Sequence, residues 1–224
     1  LMSLINDTLE VSRIESGKAV IEPEALKARE CTMAIIDALK PTADEKGVKL
    51  ILENELRDEV IWADKLKLQK IQLNVISNAI KYTPGGGTVT VSDRVLDPPE
   101  NGCNRRFIVE DTGIGMSREF MKIMFEPFSQ EHRKEAGNIT GTGLGLSIVR
   151  RYVELAGGCI KIDSEVGKGT RVTIDMPVKV IEKTEGMSGN GDTAENTDED
   201  RLRGKRILLC EDNQLNAEIA TILL

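Results

Sequence analysis

Residues 65–82, KLKLQKIQLNVISNAIKY, constrain the fold more than any other stretch of this chain. Asp64 is placed to cap a long helix that runs through Tyr82, and Thr83-Pro84-Gly85-Gly86-Gly87 ends it. At about 100° per residue, Ile71, Val75, Ile76, Ala79 and Ile80 share one apolar face. Asn74, Asn78 and Lys81 fall in line on the other side as a polar stripe, with Tyr82 beside them. Such a helix must bury its apolar face, and the segments around it supply a sheet. Strands are predicted over 48–52, 60–62, 88–94, 106–111, 159–163 and 170–176, and further helices over 28–46, 117–124 and 144–156. Pro41 is expected to kink the helix that contains it. Strands and helices mix without regular βαβ alternation. The predicted fold is therefore α/β, a two-layer sandwich of a mixed sheet covered on one face by helices.

Composition removes several function classes. Among 224 residues, 30 basic and 37 acidic side chains give a net charge of −7, which argues against a nucleic-acid partner. No run approaches the roughly 18 apolar residues of a membrane span, and the start lacks the zones of a signal peptide. Direct membrane contact is not expected. Four cysteines, at 31, 103, 159 and 210, stand far apart beside one histidine, which argues for reduced thiols and against a zinc site. With aromatics at 3%, the core has to be aliphatic.

The ends differ from the middle. The chain begins with Leu1, inside an amphipathic helix marked by Leu1, Ile5 and Leu9 and closed by Ser16-Gly17, so it reads as a piece of a longer protein. Residues 181–203 hold seven acids, three bases and almost nothing apolar, the composition of a disordered acidic linker. Lys205–Cys210 then reads as a buried strand, followed by Glu211-Asp212 and a short helical run to Leu224, the start of a βα unit.

Three motifs carry chemistry. The carboxamides of Asn74 and Asn78 and the ammonium of Lys81 suit a polyphosphate and its cation, since an amide oxygen can ligate Mg²⁺ and a lysine is a point charge for phosphate. A solvated helix face looks the same. Asp111 closes the apolar run Phe107-Ile108-Val109 and leads into Gly113 and Gly115. A buried carboxylate there needs a hydrogen-bond donor; the exocyclic amine of adenine is one, and a turn-capping role is the alternative. GTGLGLS, 141–147, sets three alternate glycines before a helix, where exposed amides can bind phosphate. A plain structural turn would also use glycine. The dinucleotide GxGxxG context and the P-loop pattern are both absent.

Together these residues resemble a family. Asn74-x-x-x-Asn78-x-x-Lys81-Tyr82, Asp111-x-Gly113-x-Gly115, Phe125 with Phe128, and Gly141-x-Gly143-x-Gly145 are similar, in order and spacing, to the N, G1, F and G2 boxes of sensor histidine kinases. The resemblance covers about residues 20–178 and takes in EVGKGTRVTIDMP, 165–177, as the closing hairpin of the catalytic ATP-binding domain. It implies residues 1–16 as the end of a dimerisation and phosphotransfer helix and 20–180 as the catalytic domain. After the linker, 204–224 would be the start of a receiver domain, with Glu211 and Asp212 in its acidic metal pocket. That is the organisation of a hybrid kinase.

The resemblance also implies roles. Asn74 would ligate Mg²⁺ held with ATP. Asn78, Lys81 and Tyr82 would contact phosphates or nucleotide. Asp111 would read the adenine amine, with Gly113 and Gly115 making room. Phe125 and Phe128 would anchor a lid, unless they are ordinary core aromatics. Gly141, Thr142, Gly143, Leu144, Gly145 and Leu146 would hold phosphate, and Thr170 would join the nucleotide site. Arg133 and Lys134 would be lid cations or a solvated charge run. The phosphoacceptor histidine would precede residue 1, since His132 falls in the lid, and the receiver's aspartate would follow residue 224.

The activity implied is transfer of the ATP γ-phosphate to a histidine outside this sequence, in a cytoplasmic module of a bacterial two-component parent that can be membrane-anchored. Its partners would be its own phosphotransfer domain, in a homodimer, and a receiver domain. Hydrolases of the same superfamily, such as gyrase and the heat-shock chaperone ATPases, place a Glu four residues before the second Asn. Here that place is Asn74, and an amide takes no proton near neutral pH. A general ATPase is thereby disfavoured, and a nucleotide-sensing module without chemistry is the second reading.

Overall fold

The structure is a computed structural model that describes residues 2–53, 59–131 and 141–181. Five strands form a mixed sheet in the order β2-β4-β5-β7-β6: β2 (Lys49–Leu52), β4 (Thr88–Glu100), β5 (Cys103–Asp111), β7 (Gly169–Met176) and β6 (Cys159–Glu165). Only β2 and β4 are parallel; the other pairs are antiparallel. Three helices cover the sheet: α2 (Ala28–Lys46), α3 (Lys65–Tyr82) and α5 (Gly145–Leu155). This is the two-layer sandwich that the pattern predicts.

The reason lies in the residue faces. On α3, Ile71, Val75, Ile76, Ala79 and Ile80 are all buried, against Val89 and Val91 of β4, Phe107 and Val109 of β5, and Ile148, Val149 and Val153 of α5. The polar stripe of α3 is left over on the opposite side. Gln72 is an exception that amphipathicity misses. It is buried, and its Nε2 donates to Thr32 Oγ1 of α2 at 2.9 Å. Below it, Asp93 of β4 pairs with Arg105 Nε of β5 at 2.7 Å, both buried. Burial pushes the Asp93 carboxyl up, against the pull of the Arg105 guanidinium. Breaking one side of such a buried pair is costly, because it strands the other charge.

Two strands escape the sequence pattern. β1 (Glu24–Lys27) and β8 (Lys179–Ile181) flank β3 (Val60–Ala63) in a small antiparallel sheet, order β1-β3-β8. β8 takes in Ile181, the first residue of the predicted linker. The hairpin β4–β5 is longer than predicted and turns at Asn101-Gly102, both with left-handed backbone. The helix predicted over 117–124 shrinks to one turn, α4 (Arg118–Met121), with Ser117 Oγ accepting from Phe120 N at 3.1 Å. Beyond it the chain winds through i→i+3 bonds, Ile123 N to Phe120 O and Glu126 N to Ile123 O, which turn Met124 into the core. α2 runs on through Pro41 to Lys46.

α1 (Met2–Glu15) packs Val11 and Ile14 on the core. Among the described residues, no helix is long and apolar enough to cross a membrane. The predicted linker beyond Ile181, the strand ending at Cys210, and Glu211 and Asp212 lie outside the described residues, as do His132, Arg133 and Lys134.

Asp64 fixes where α3 begins. Its Oδ1 accepts from Lys67 N at 3.0 Å and its Oδ2 from Glu22 N at 2.9 Å. Asp64→Ala is expected to cost about 1–2 kcal/mol, read as a fall in Tm of a few degrees. Asp64→Asn keeps the acceptor for Lys67 N but not the one for Glu22 N, and restores part of the loss.

Candidate functional site

The stripe of α3, the end of β5, the loop after it and the start of α5 enclose a cavity of about 320 Å³. Asn74, Asn78, Lys81 and Tyr82 line one wall. Asp111, Gly115 and Thr170 lie on the lining, and so do Gly141, Thr142, Gly143, Gly145 and Leu146. These residues come from three motifs spread over residues 74–146, and from Thr170, brought together by the fold.

One part is apolar and built around Asp111. Val109, Ile114, Met116, Ile162 and Val172 line the cavity with it. Asp111 is buried; its Oδ1 accepts from Gly113 N at 2.8 Å and Thr170 N at 3.2 Å. Oδ2 takes no hydrogen bond among the described residues. Burial pushes the carboxyl up to about 6, against the two backbone donors. The site thus offers an acceptor in an apolar pocket without a partner for it.

The glycines after Asp111 serve the chain itself. Gly115 has φ +63°, and a Cβ there would stand 2.0 Å from Glu165 O. Gly169, φ +103°, would bring a Cβ 1.9 Å from Asp111 O. At Gly113 a Cβ would meet Tyr82 O at 2.5 Å. On the side where a Cβ would stand, Gly113 and Gly115 meet neighbouring backbone, which clamps the loop between α3 and the β6–β7 hairpin, while Gly115 still borders the cavity. Ile114 N bonds Tyr82 O at 3.1 Å, and Gly167 N bonds Ile114 O at 2.9 Å.

The other part is polar. Asn74 Nδ2 donates to Lys70 O at 2.9 Å. Its Oδ1 would stand 2.7 Å from a Cβ on Gly145, and Lys81 Nζ 2.6 Å from one on Gly141. Glycine therefore leaves these two polar groups open to the cavity. Burial lowers the Lys81 pKa, with the Lys46 charge adding to it, and burial raises that of Tyr82. α5 begins without a side-chain cap. Its first amides, Gly145 to Ser147, find no acceptor among the described residues. Uncapped amides at a helix start attract anions.

Two predicted residues stand elsewhere. Leu144 is fully buried in the core, and its N–H donates to Thr142 Oγ1 at 3.3 Å, so its amide is already taken. Phe128 is 59% exposed and off the cavity lining. Its backbone, at φ +65°, lies against Gly143, where a Cβ would be 2.6 Å from Phe128 C. Phe125 packs on the core under the Arg150 guanidinium, 5.2 Å from its ring. Ser77, Gln130, Phe120 and Met124 line the cavity unannounced by any motif, as does Asp7 of α1. Among the described residues no three His, Cys, Asp or Glu side chains group to hold a metal. A cation here would rely on amide oxygen and on its ligand's own oxygens.

Comparisons with known proteins show the family and the fold. The family model described as histidine kinase-, DNA gyrase B-, and HSP90-like ATPase matches residues 63–180. The chain is 34% identical over 225 residues to the autoinducer 2 sensor kinase/phosphatase LuxQ of Vibrio parahaemolyticus, covering 98% of this chain and 26% of that protein. It is 35% identical to the virulence sensor protein BvgS of Bordetella bronchiseptica, over 96% of this chain and 17% of that one. With histidine protein kinase DivJ of Caulobacter vibrioides the identity is 38%, over 80% and 29%. The chain thus spans less than a third of each of these relatives. Among solved structures, full-length ShkA in complex with AMPPNP matches with a TM-score of 0.66 and 30% identity, over 80% of this chain and 36% of that one. The nucleotide-free catalytic domain of histidine kinase ThkA matches at 0.58 and 21% identity, over 70% and 95%, which shows the shared fold.

Proposed function

This chain belongs to the family of histidine kinase-, DNA gyrase B- and HSP90-like ATPases, and on that premise we propose that it is the ATP-binding catalytic domain of a hybrid sensor histidine kinase. It would transfer the γ-phosphate of ATP to a histidine outside this sequence, for relay to a receiver domain. The observation that carries the reading is the cavity's polarity: an apolar pocket with one unpartnered carboxylate oxygen at Asp111, and open amides, amide oxygen and ammonium around Asn74, Lys81 and Gly145. A nucleotide has that same division.

In this reading the adenine amine donates to Asp111 Oδ2. Lys81, Asn78 and the first amides of α5 receive the phosphates, with Thr142 and Thr170 on the lining. Tyr82 closes the wall. Asn74 Oδ1 and the phosphate oxygens would hold Mg²⁺, whose charge would neutralise the polyphosphate. Phosphoryl transfer depends chiefly on positioning and charge neutralisation, and these residues supply both. Asn74 cannot take a proton from water, so hydrolysis stays slow and the phosphoryl group waits for a histidine. The partners that follow are the chain's own phosphotransfer domain, in a dimer of the parent protein, and a receiver. The parent works on the cytoplasmic side.

The test supplies a separate phosphotransfer domain and γ-labelled ATP. Acid-labile label on that domain is expected, reduced at least tenfold by Asn74→Ala, whose nucleotide binding also loses its Mg²⁺ dependence. Label equal to that with Asn74→Ala, or phosphate released to water instead, overturns the kinase reading.

A further inference from the structure

α1 reaches the cavity through Asp7, which lies on the lining with Asn74 and Ser77. Its docking has an apolar part, Val11 and Ile14, and a polar latch. Lys70 Nζ of α3 lies 3.0 Å from Asp7 Oδ1 and 3.0 Å from Glu10 Oε2. The Tyr152 hydroxyl of α5 donates to Glu10. Burial would lower the Lys70 pKa, but the hydrogen bonds and charges of Glu10 and Asp7 hold it above its ordinary value.

The charges do not balance. Two carboxylates, Asp7 and Glu10, share the single ammonium of Lys70; of the neighbouring cations, Lys67 is committed to Asp64 and the Arg13 charge acts on Tyr152, at the Glu10 end of the latch. This surplus sits at the polar end of the cavity. Lys70 O holds the Asn74 amide at 2.9 Å, and Asn74 Oδ1 faces Gly145 at the open start of α5.

We propose that Asp7 is a specificity-determining residue of the cavity: docked α1 presents a carboxylate to the polyphosphate end and biases the site toward ADP over ATP. By reciprocity, the more highly charged nucleotide loosens α1. The inference rests on the nucleotide reading above. It gives α1 a part in nucleotide choice that apolar packing alone would not.

The test measures Kd for ADP and for AMPPNP, without Mg²⁺, in the whole chain and in two variants of opposite sign. Asp7→Asn keeps an acceptor for Lys70 and removes the surplus charge. It is expected to tighten AMPPNP on the order of five-fold and ADP about two-fold, the size of one partly screened charge. Lys70→Gln enlarges the surplus and moves the ratio the other way. Both changes shrink toward nothing near 1 M salt, where the Debye length is about 3 Å. In the unmodified chain α1 amides exchange hydrogen faster with AMPPNP than with ADP bound, and Asp7→Asn removes that difference. An ADP-to-AMPPNP ratio unmoved by either variant, or moved equally at all salt concentrations, overturns the proposal while leaving nucleotide binding intact. Failure of all three proteins to bind either nucleotide, with Mg²⁺ as well as without it, overturns the nucleotide reading, and this one with it.

Discussion

Asp111→Asn is expected to weaken adenine nucleotide binding at least about thirty-fold, while the nucleotide-free protein becomes more stable at neutral pH. The two effects share a cause. Asn can keep its Oδ1 on Gly113 N and Thr170 N, the bonds that Asp111 makes, so the loop stays in place. It puts an NH₂ where Oδ2 was, and that donor meets the donor of the adenine amine. A charged acceptor lost in a buried site is worth about 2–3 kcal/mol, which is the stated fold-change.

Stability moves the other way. Burial pushes Asp111 up to about 6 from 3.8. A carboxyl raised on folding binds its proton more tightly in the native state. It therefore costs nothing below the unfolded value and destabilises progressively as pH rises through the window from 3.8 to about 6, at a slope of at most about 1.4 kcal/mol per pH unit. Asp111→Asn has no such slope. Melting curves at pH 4 and pH 8 are expected to cross: no gain at the lower pH, a higher Tm for the variant at the upper. Equal Tm differences at both would refute the account of this carboxylate. The same titration predicts that adenine nucleotide binds more tightly above pH 6 than below it, since the ionised acceptor is the better one.

Gly115→Ala is expected to cost about 3 kcal/mol or more, the size of a strained backbone position combined with a steric clash. Two penalties coincide there. The φ of +63° disfavours any L side chain, and the Cβ would stand 2.0 Å from Glu165 O, a backbone atom that cannot rotate away. Relief requires the β6–β7 hairpin to move, and that hairpin carries Thr170, one of the two donors to Asp111. Tm should fall by roughly 10 °C, and nucleotide affinity should fall with it. Gly86→Ala is the control: its φ is also positive, at +87°, but nothing lies within 4 Å of the added Cβ. A Gly115→Ala protein no less stable than Gly86→Ala would refute the packing described for this loop.

The sequence is legible where chemistry and periodicity coincide. On α3 the apolar face and the Asn74–Asn78–Lys81 stripe are separate, so the helix, its buried side and its cavity side can all be read from one segment. Asp64 announces its start. The Asp111 loop is legible as a motif, but its glycines are not legible in purpose. Only the fold places Glu165 O and Tyr82 O against Gly115 and Gly113. The one-turn α4 is hidden because residues 117–124 look helical, while burial of Met124 winds them tighter. β1 and β8 are short and alternate weakly; they exist because β3 offers both its edges. Gln72, Thr32, Asp93 and Arg105 read as surface residues one by one and become a buried network only when α2, α3 and the sheet meet. Asp7 joins the cavity for a similar reason: nothing in the pattern of α1 says which helix its carboxylate will face.

The central claim is that this cavity takes a nucleotide with its cation. Calorimetric titration with AMPPNP, with Mg²⁺ and without, tests it most directly. Saturable one-to-one binding that tightens when Mg²⁺ is present, and that weakens at least about thirty-fold in Asp111→Asn, is the predicted result. No binding at millimolar AMPPNP, which means a free energy weaker than about −4 kcal/mol, or binding indifferent to both Mg²⁺ and Asp111, would contradict it.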